Sequence, residues 1–132
     1  MTHRILLPDG WARPSGYANG IAARGTQLFI AGQIGWNASH EIARGDFVGQ
    51  TRQALLNIVS VLRAGGAAPE HIVRLTWYVT DIARYRAEGP AIGTVYREIM
   101  GSHFPSMSAV AVAALVEPDA LVEIEATAVV PD

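Results

Sequence analysis

The last part of the chain has the clearest alternation of hydrophobic and polar positions. From residue 122 onward every second side chain is apolar, and this set is Val122, Ile124, Ala126 and Ala128. The side chains between them are polar, namely Glu123, Glu125 and Thr127. A period of two predicts a β-strand with one face for packing on helices and one polar face. An apolar run after Pro105 precedes it, and the turn-like Glu117-Pro118-Asp119 lies between them. The sequence therefore predicts a β-hairpin at 105–130.

Helical periodicity predicts two longer helices. Asp46 can cap the first, from about Phe47 to Ala64, and Gly65-Gly66 would end it. Its apolar stripe is Leu55, Ile58, Val59 and Leu62. The second begins near Pro90 and ends near Met100, with the stripe Ile92, Val95, Tyr96 and Ile99. Before it, a turn or short helix is predicted from Asp81 to Arg86.

The remaining strands precede and separate these helices. Residues 1–14 form a loose arm with one short strand at 3–7, residues 15–23 open a strand, and 27–34 form the next. The turn at 24–26 predicts that these last two strands form a hairpin, and Ile72–Thr80 is a further strand. Gly35 to Gly45 is predicted to be a loop. The order is β-β-β-α-β-α-β-β, an α+β fold in one domain, 1–132, with two helices on one face of a six-stranded mixed sheet.

The second sheet face then lacks a helical cover. It carries Glu123 and Glu125, so it must be solvated or buried by association. Half of the residues are hydrophobic and the mean hydropathy is +0.21, which favours association between subunits.

Composition excludes several kinds of chemistry. The absence of cysteine excludes a disulfide, a thiolate nucleophile and a cysteine-bound metal. All ten basic residues are arginine, so the chain has no lysine for a Schiff base or a phosphate-binding loop. The four histidines lack metal-ligand spacing, so no metal is predicted. A net charge of -2 with scattered charges disfavours a nucleic-acid partner. Without a signal sequence or a membrane-spanning run, a cytoplasmic protein with no membrane partner is expected.

Several segments together resemble one protein family. They are SGYANG at 15–20, FIAGQIG at 29–35, QTRQALLNIVSVLRAGGA at 50–67, IVRLTWYVTDIARY at 72–85, VYREIMG at 95–101, and FPSMSAV with ALVEIEATAV near the end. In these the chain resembles the Rid (reactive intermediate deaminase, or YjgF) family. The resemblance implies a chorismate-mutase-like (bacillus-type) fold and a homotrimer with a central barrel and ligand clefts between adjacent subunits. It also implies hydrolysis of enamines or imines to a carbonyl compound and ammonia, without a cofactor.

The resemblance also implies roles for individual residues. Tyr17 matches a tyrosine of the cleft, and Glu123 matches the glutamate that positions water. Gly32 and Gln33 match a strand end where the backbone approaches the ligand, and Tyr85 matches an aromatic cleft residue. Backbone groups near Ala109 would help to hold the ligand, and Trp36, in a polar loop, would cover the cleft.

One position departs from the family pattern. The family's arginine, two residues after proline in a P-x-R-S motif, clamps a substrate carboxylate, but this chain has Met107 in Pro105-Ser106-Met107-Ser108. Losing a charge-assisted hydrogen bond commonly costs about 1.5–3 kcal/mol. The chain therefore resembles a subgroup without this arginine, and a larger or aromatic-derived substrate is predicted.

Simpler interpretations stay open for each of these residues. Glu123 suits a solvated sheet carboxylate, Tyr17 an aromatic at a strand start, and Met107 a gap filler at an interface. Glu125, Trp77 and Tyr78 are predicted to be structural. Two other functions also stay open: a non-catalytic trimer that binds a small ligand, and a ribonuclease, which the negative net charge disfavours.

Overall fold

A computed structural model describes residues 2–132 and has six strands and three helices. The elements in order are β1 (Arg4–Leu6), β2 (Gly20–Ala22), β3 (Thr26–Ile34), α1 (Phe47–Ala64), β4 (Ile72–Val79), α2 (Ile82–Ala87), α3 (Gly89–Met100), β5 (Ser106–Ala111) and β6 (Val122–Val130). A single 3-10 turn at Pro69–His71 leads into β4. The predicted α+β class and the order of its elements are confirmed, and the segment after Asp81 is a helix.

The strands divide between two sheets. β3, β6, β4 and β5 lie side by side in that order, whereas β1 pairs with β2 in a separate antiparallel ladder. β4 and β5 are parallel, and the other neighbours in the larger sheet are antiparallel. The prediction of one six-stranded sheet is corrected in this respect. A single parallel bridge between Ala18 and Ser106 joins the segment before β2 to β5.

Both predicted hairpins are wrong. β3 pairs with β6 rather than with β2, and β4 lies between β5 and β6. Ile72, Leu75 and Val79 of β4 are fully buried, so this strand takes a central place that local turn signals do not reveal. The connection at 112–121 passes the end of β4, where the Val112 amide donates to the Val79 carbonyl and the Thr80 amide donates to the Leu121 carbonyl.

The two longer helices pack on one face of the larger sheet. Asp46 caps α1 as predicted, because its carboxylate accepts a hydrogen bond from the Gly49 amide at 2.9 Å. The stripes of α1 and α3 meet the apolar face of β6 in one core. Its fully buried members from α1 and β6 are Ala54, Leu55, Ile58, Leu62, Val122, Ile124 and Ala128. Burying each larger aliphatic side chain contributes about 1.5–3 kcal/mol.

The opposite sheet face, which we call the open face, has no helix over it among residues 2–132. Glu123, Glu125 and Thr127 of β6 are half-buried there, as the alternation predicts. Phe29 of β3, which pairs with Thr127, is 76% exposed. Within this described range, no helix has the length and apolar character needed to cross a membrane.

Candidate functional site

An aromatic cavity of about 570 Å³ lies on the helix-covered side of the sheet. We call it the aromatic pocket. Its walls include Tyr17, Trp77, Tyr85, Tyr96, Phe104 and Met107. A volume of this size is typical of a small-molecule site, which spans about 300–1,000 Å³.

Strand register brings Met107 into this pocket. In the parallel β4–β5 ladder, Leu75 lies beside Met107 and Trp77 lies beside Ala109. Leu75 and Trp77 are buried towards the helices, so their neighbours on β5 are directed to the same side. Met107 and Ala109 both line the aromatic pocket.

The surrounding rings are held in place by one another. Tyr96 and Phe104 stack with centroids 5.3 Å apart, and Trp77 meets Tyr85 edge-on at 6.3 Å. The Tyr96 hydroxyl donates to the His103 carbonyl at 2.7 Å. Burial raises the pKa of Tyr96 and of Tyr85, so both phenols stay protonated at neutral pH. The pocket is therefore preformed and uncharged at its base.

Tyr17 reaches the pocket from the segment that precedes β2. The Ala18 amide donates to the Pro105 carbonyl at 3.0 Å, which ties this segment to the start of β5. Tyr17 is 42% exposed and lies at the pocket mouth with Ser15 and Gly16. The structure thus brings Tyr17, Tyr85, Met107 and Ala109 together in one cavity, and their roles towards a ligand stay predictions.

The acidic group lies elsewhere, on the open face. Glu123 is on β6 opposite Tyr78 of β4, and Gly32 of β3 lies against its side chain. A Cβ atom at position 32 would lie 2.7 Å from Glu123 Cδ, so any side chain there would collide with the carboxylate. Among residues 2–132, no side chain or backbone amide donates a hydrogen bond to the carboxylate of Glu123. Its carboxylate is therefore free to bind water or a ligand.

Glu125 is engaged within the chain. Its Oε1 accepts a hydrogen bond from the Tyr78 hydroxyl at 2.7 Å. This bond, with a smaller effect of burial and of the nearby carboxylates, raises the pKa of Tyr78. Two carboxylates two residues apart therefore differ. The Glu125 carboxylate is hydrogen-bonded to a tyrosine, whereas the Glu123 carboxylate accepts no hydrogen bond from residues 2–132.

Within a single chain the two groups of residues do not meet. Trp77 and Tyr78 are adjacent on β4 and point to opposite sheet faces, Trp77 to the aromatic pocket and Tyr78 to Glu123 and Glu125. Met107 and Glu123 are consequently on opposite sides of the sheet. A site that uses both needs more than one copy of the chain.

Gln33 and Trp36 lie outside the aromatic pocket of their own chain. The Gln33 amide donates to the Ala31 carbonyl at 3.1 Å. The Trp36 ring stacks on His40 with centroids 4.1 Å apart, and the Trp36 carbonyl accepts from Asn57 at 2.8 Å. Their roles as ligand contacts stay predictions.

Sequence reasoning missed most of the pocket wall. Trp77 was expected to be a packing residue, and at 3% exposed it is, but it also lines the cavity. Phe104, Arg86 and Arg97 were not singled out. The signal available was the i, i+4 spacing of Gly93 and Arg97 on α3, which places an arginine over a position without a side chain. In the described range, no group of three acidic or histidine side chains is placed to hold a metal.

Comparison with known proteins gives consistent matches. Residues 12–130 match the family model described as Endoribonuclease L-PSP. A RutC family protein of Pyrococcus horikoshii is 36% identical over 94% of this chain and 95% of its own length. The 2-iminobutanoate/2-iminopropanoate deaminase of Capra hircus is 37% identical over 77% of this chain and 72% of its own. The crystal structure of YyfB from Yersinia pestis, of the conserved Rid protein family, has a TM-score of 0.86 at 36% identity, covering 98% and 99% of the two chains.

Proposed function

Because the chain belongs to the Endoribonuclease L-PSP family, which includes the Rid (YjgF) proteins, we propose that it hydrolyses a reactive enamine or imine to a carbonyl compound and ammonia. The observation that carries this proposal is the carboxylate of Glu123, which lies against Gly32 and accepts no hydrogen bond from any of residues 2–132. Relatives of 31–37% identity carry the name 2-iminobutanoate/2-iminopropanoate deaminase, which supports the reaction class.

The proposed active unit is a homotrimer. Phe29 on the open face is 76% exposed and Val110 is 45% exposed, so this face carries apolar surface that association would bury. Packing the open faces of three copies together leaves the helices outside. Met107 and Ala109 line the pocket from β5, an edge strand of the larger sheet. A neighbour that packs across this edge would set its Glu123 beside the pocket and so join the two half-sites.

The reaction needs only water and a proton carrier. Glu123 accepts a hydrogen bond from a water molecule and takes its proton as the oxygen attacks the imine carbon. That proton passes to the nitrogen and gives a carbinolamine. Glu123 then moves the hydroxyl proton of the carbinolamine to the nitrogen as the carbon–oxygen double bond forms and the carbon–nitrogen bond breaks, so one imine and one water give one carbonyl compound and one ammonia. An enamine first becomes the imine by moving a proton from nitrogen to carbon. Tyr17 and backbone groups near Gly32 and Ala109 hold the substrate.

The substrate differs from a small imino acid. Met107 has no charge and donates no hydrogen bond, so it gives a carboxylate no clamp at this position. The aromatic walls beside it favour a larger, aromatic-derived imine instead.

Ammonia release tests the proposal. An amino acid oxidase would generate imines in situ from aliphatic and aromatic amino acids. These imines would be supplied to wild type, Glu123→Gln and Glu125→Gln. Glu123→Gln should reduce the rate by about 10²–10⁴-fold, the usual share of a general base. Glu125→Gln is the matched control, since it changes the same atoms on the same strand face, and it should retain most activity. Equal rates for wild type and Glu123→Gln would remove Glu123 from the mechanism.

Met107 also favours a second candidate, a non-catalytic trimer that binds a small ligand. In that case an aromatic carboxylate would stabilise the protein against heat and be recovered unchanged. The word endoribonuclease in the family's name suggests RNA cleavage as well, but a net charge of -2 gives RNA no electrostatic attraction. Cleavage of RNA that disappears in Glu123→Gln would support it.

A further inference from the structure

Two arginines stand at the edge of the aromatic pocket without a carboxylate partner. Arg86 lies in the last turn of α2, Arg97 lies on α3, and both line the cavity. In the part of the chain that the structure describes, ion pairs involve Arg44, Arg52 and Arg84 instead. Neither pocket arginine has an acidic side chain within 4.0 Å. The pocket therefore combines apolar walls with an uncompensated positive rim.

Arg97 can extend over the cavity because the residue beneath it on α3 is a glycine. Gly93 lies one turn before it on α3, and a Cβ atom at position 93 would be 3.4 Å from Arg97 Nη1. Long side chains on a helix lean towards its N-terminus, so the guanidinium folds back across Gly93, which also lines the pocket. A glycine inside a helix is less favourable than alanine. Here it leaves room for the guanidinium at the pocket.

Trp77 supplies a third feature. Its indole nitrogen is buried and, among residues 2–132, is the one buried side-chain nitrogen or oxygen atom without a hydrogen-bond partner. Leaving such a donor unsatisfied is destabilising, so native proteins usually match it with a ligand or an ordered water. Trp77 lines the pocket and is 3% exposed. A bound molecule with an acceptor atom at this wall would satisfy the indole.

From these features we propose that Arg97, assisted by Arg86, provides the anion contact that residue 107 lacks, so the pocket selects a planar aromatic or conjugated carboxylate. The ring lies against Trp77, Tyr96 and Phe104, and its carboxylate faces the guanidinium groups, which bind such oxygens in a bidentate manner. An acceptor atom on the ligand meets the Trp77 indole. As a statement about the substrate, this inference rests on the proposed function; as a statement about binding, it stands separately.

Two unreactive ligands of equal shape test it. Anthranilate carries a carboxylate, and anthranilamide carries a neutral amide in the same place. Calorimetric titration should show that wild type binds anthranilate at least ten-fold more tightly than anthranilamide. Arg97→Gln should reduce that preference by about ten- to hundred-fold, as expected for a charge-assisted bond. Arg86→Gln should reduce it less, and the double variant should abolish it.

Arg63→Gln is the matched control, because Arg63 is also an exposed helical arginine without an ion pair in the described residues but lies outside the pocket. It should bind both ligands as wild type does. Trp77→Phe, checked for folding by circular dichroism, should weaken both ligands equally and leave the preference unchanged. The proposal is overturned if wild type does not prefer the carboxylate, or if the double variant keeps the preference.

The binding measurement tests the anion contact and the ammonia assay tests the deaminase activity, so either proposal can be contradicted without the other. Anthranilate is not an imine, so its affinity does not depend on hydrolysis. If ammonia release requires Glu123 but the arginine variants bind normally, the anion contact is wrong and the deaminase stands. If the arginine variants lose the preference but Glu123 is dispensable, the pocket stands and the deaminase is wrong.

Discussion

The two faces of the larger sheet differ in how completely one chain finishes them. The helix-covered face has a closed core and a preformed pocket, and every element that shapes it belongs to the same chain. The open face carries the Glu123 carboxylate, which has no hydrogen-bond donor among residues 2–132, and the exposed Phe29. Folding therefore completes one half of the candidate site, whereas the proposed trimer would complete the other half. The binding half and the acidic half differ in what they need, and experiments can separate them.

The largest expected difference between the faces is in stability. Ile124→Ala removes a fully buried side chain from the helix-covered face and should lower the free energy of unfolding by about 2–5 kcal/mol. Thr127→Ala, three residues away on the open face, should lower it by less than about 1 kcal/mol. Urea unfolding followed by circular dichroism measures both. Equal losses would mean that association buries the open face as deeply as the helices bury the other.

Assembly provides the next contrast. Phe29→Asp places a charge on the open face and should convert the proposed trimer to monomers, because the charge would be buried without a partner. Light scattering after gel filtration reports the mass. Leu56→Asp is the matched control, since Leu56 is 43% exposed on α1, away from the open face, and should leave the mass unchanged. A trimer that survives Phe29→Asp would place the interface elsewhere.

Much of the helix-covered face is predictable from sequence because its signals are local. Asp46 and Gly65 bracket α1, and the alternation from Val122 onward defines the buried side of β6. Strand neighbours are not local. Glu117-Pro118-Asp119 indicates that the chain reverses, but not that β4 lies between the two strands it connects.

The candidate site was only partly predictable for the same reason. Family resemblance implied Tyr17 and Glu123, but placing them on opposite faces required the register of β4 with both of its neighbours. The role of Trp77 as pocket wall was hidden because a buried tryptophan in a strand has the same pattern whether or not a cavity adjoins it. The position of Arg97 over the pocket depends on its contact with Gly93, which exists only once the helix is formed.

Tyr78 on the open face and Tyr96 on the helix-covered side allow the two faces to be compared by alkaline titration. The Glu125 hydrogen bond raises the pKa of Tyr78, and burial raises the pKa of Tyr96, both above the usual value of 10.0. The unfolded chain therefore releases these protons first. The stabilisation is complete below pH 10 and is lost as pH rises through the folded-state values. Unfolding at increasing pH should show this decline, and ultraviolet absorbance should report late ionisation.

Variants assign the decline to each face. Tyr96→Phe and Tyr78→Phe should each make the free energy of unfolding less dependent on pH above 10, because each removes one phenol whose pKa differs between the folded and unfolded states. Tyr96→Phe should have the larger effect, since Tyr96 is more deeply buried than Tyr78. An unchanged slope in both variants would contradict the assignment.

The smallest predicted effect is the most specific to the pocket. Gly93→Ala should raise the free energy of unfolding by about 0.5–1 kcal/mol, because alanine is the better helix former and the atoms nearest to the new Cβ belong to the flexible end of the Arg97 side chain. The same methyl group contacts the Arg97 guanidinium, so anthranilate should bind more weakly. Thr94→Ala, next to it on α3 but outside the pocket, should change stability by a similar small amount without changing affinity. A variant that is more stable and binds less well would show that the glycine serves the ligand rather than the fold, whereas unchanged affinity in Gly93→Ala would remove Gly93 from the anion contact.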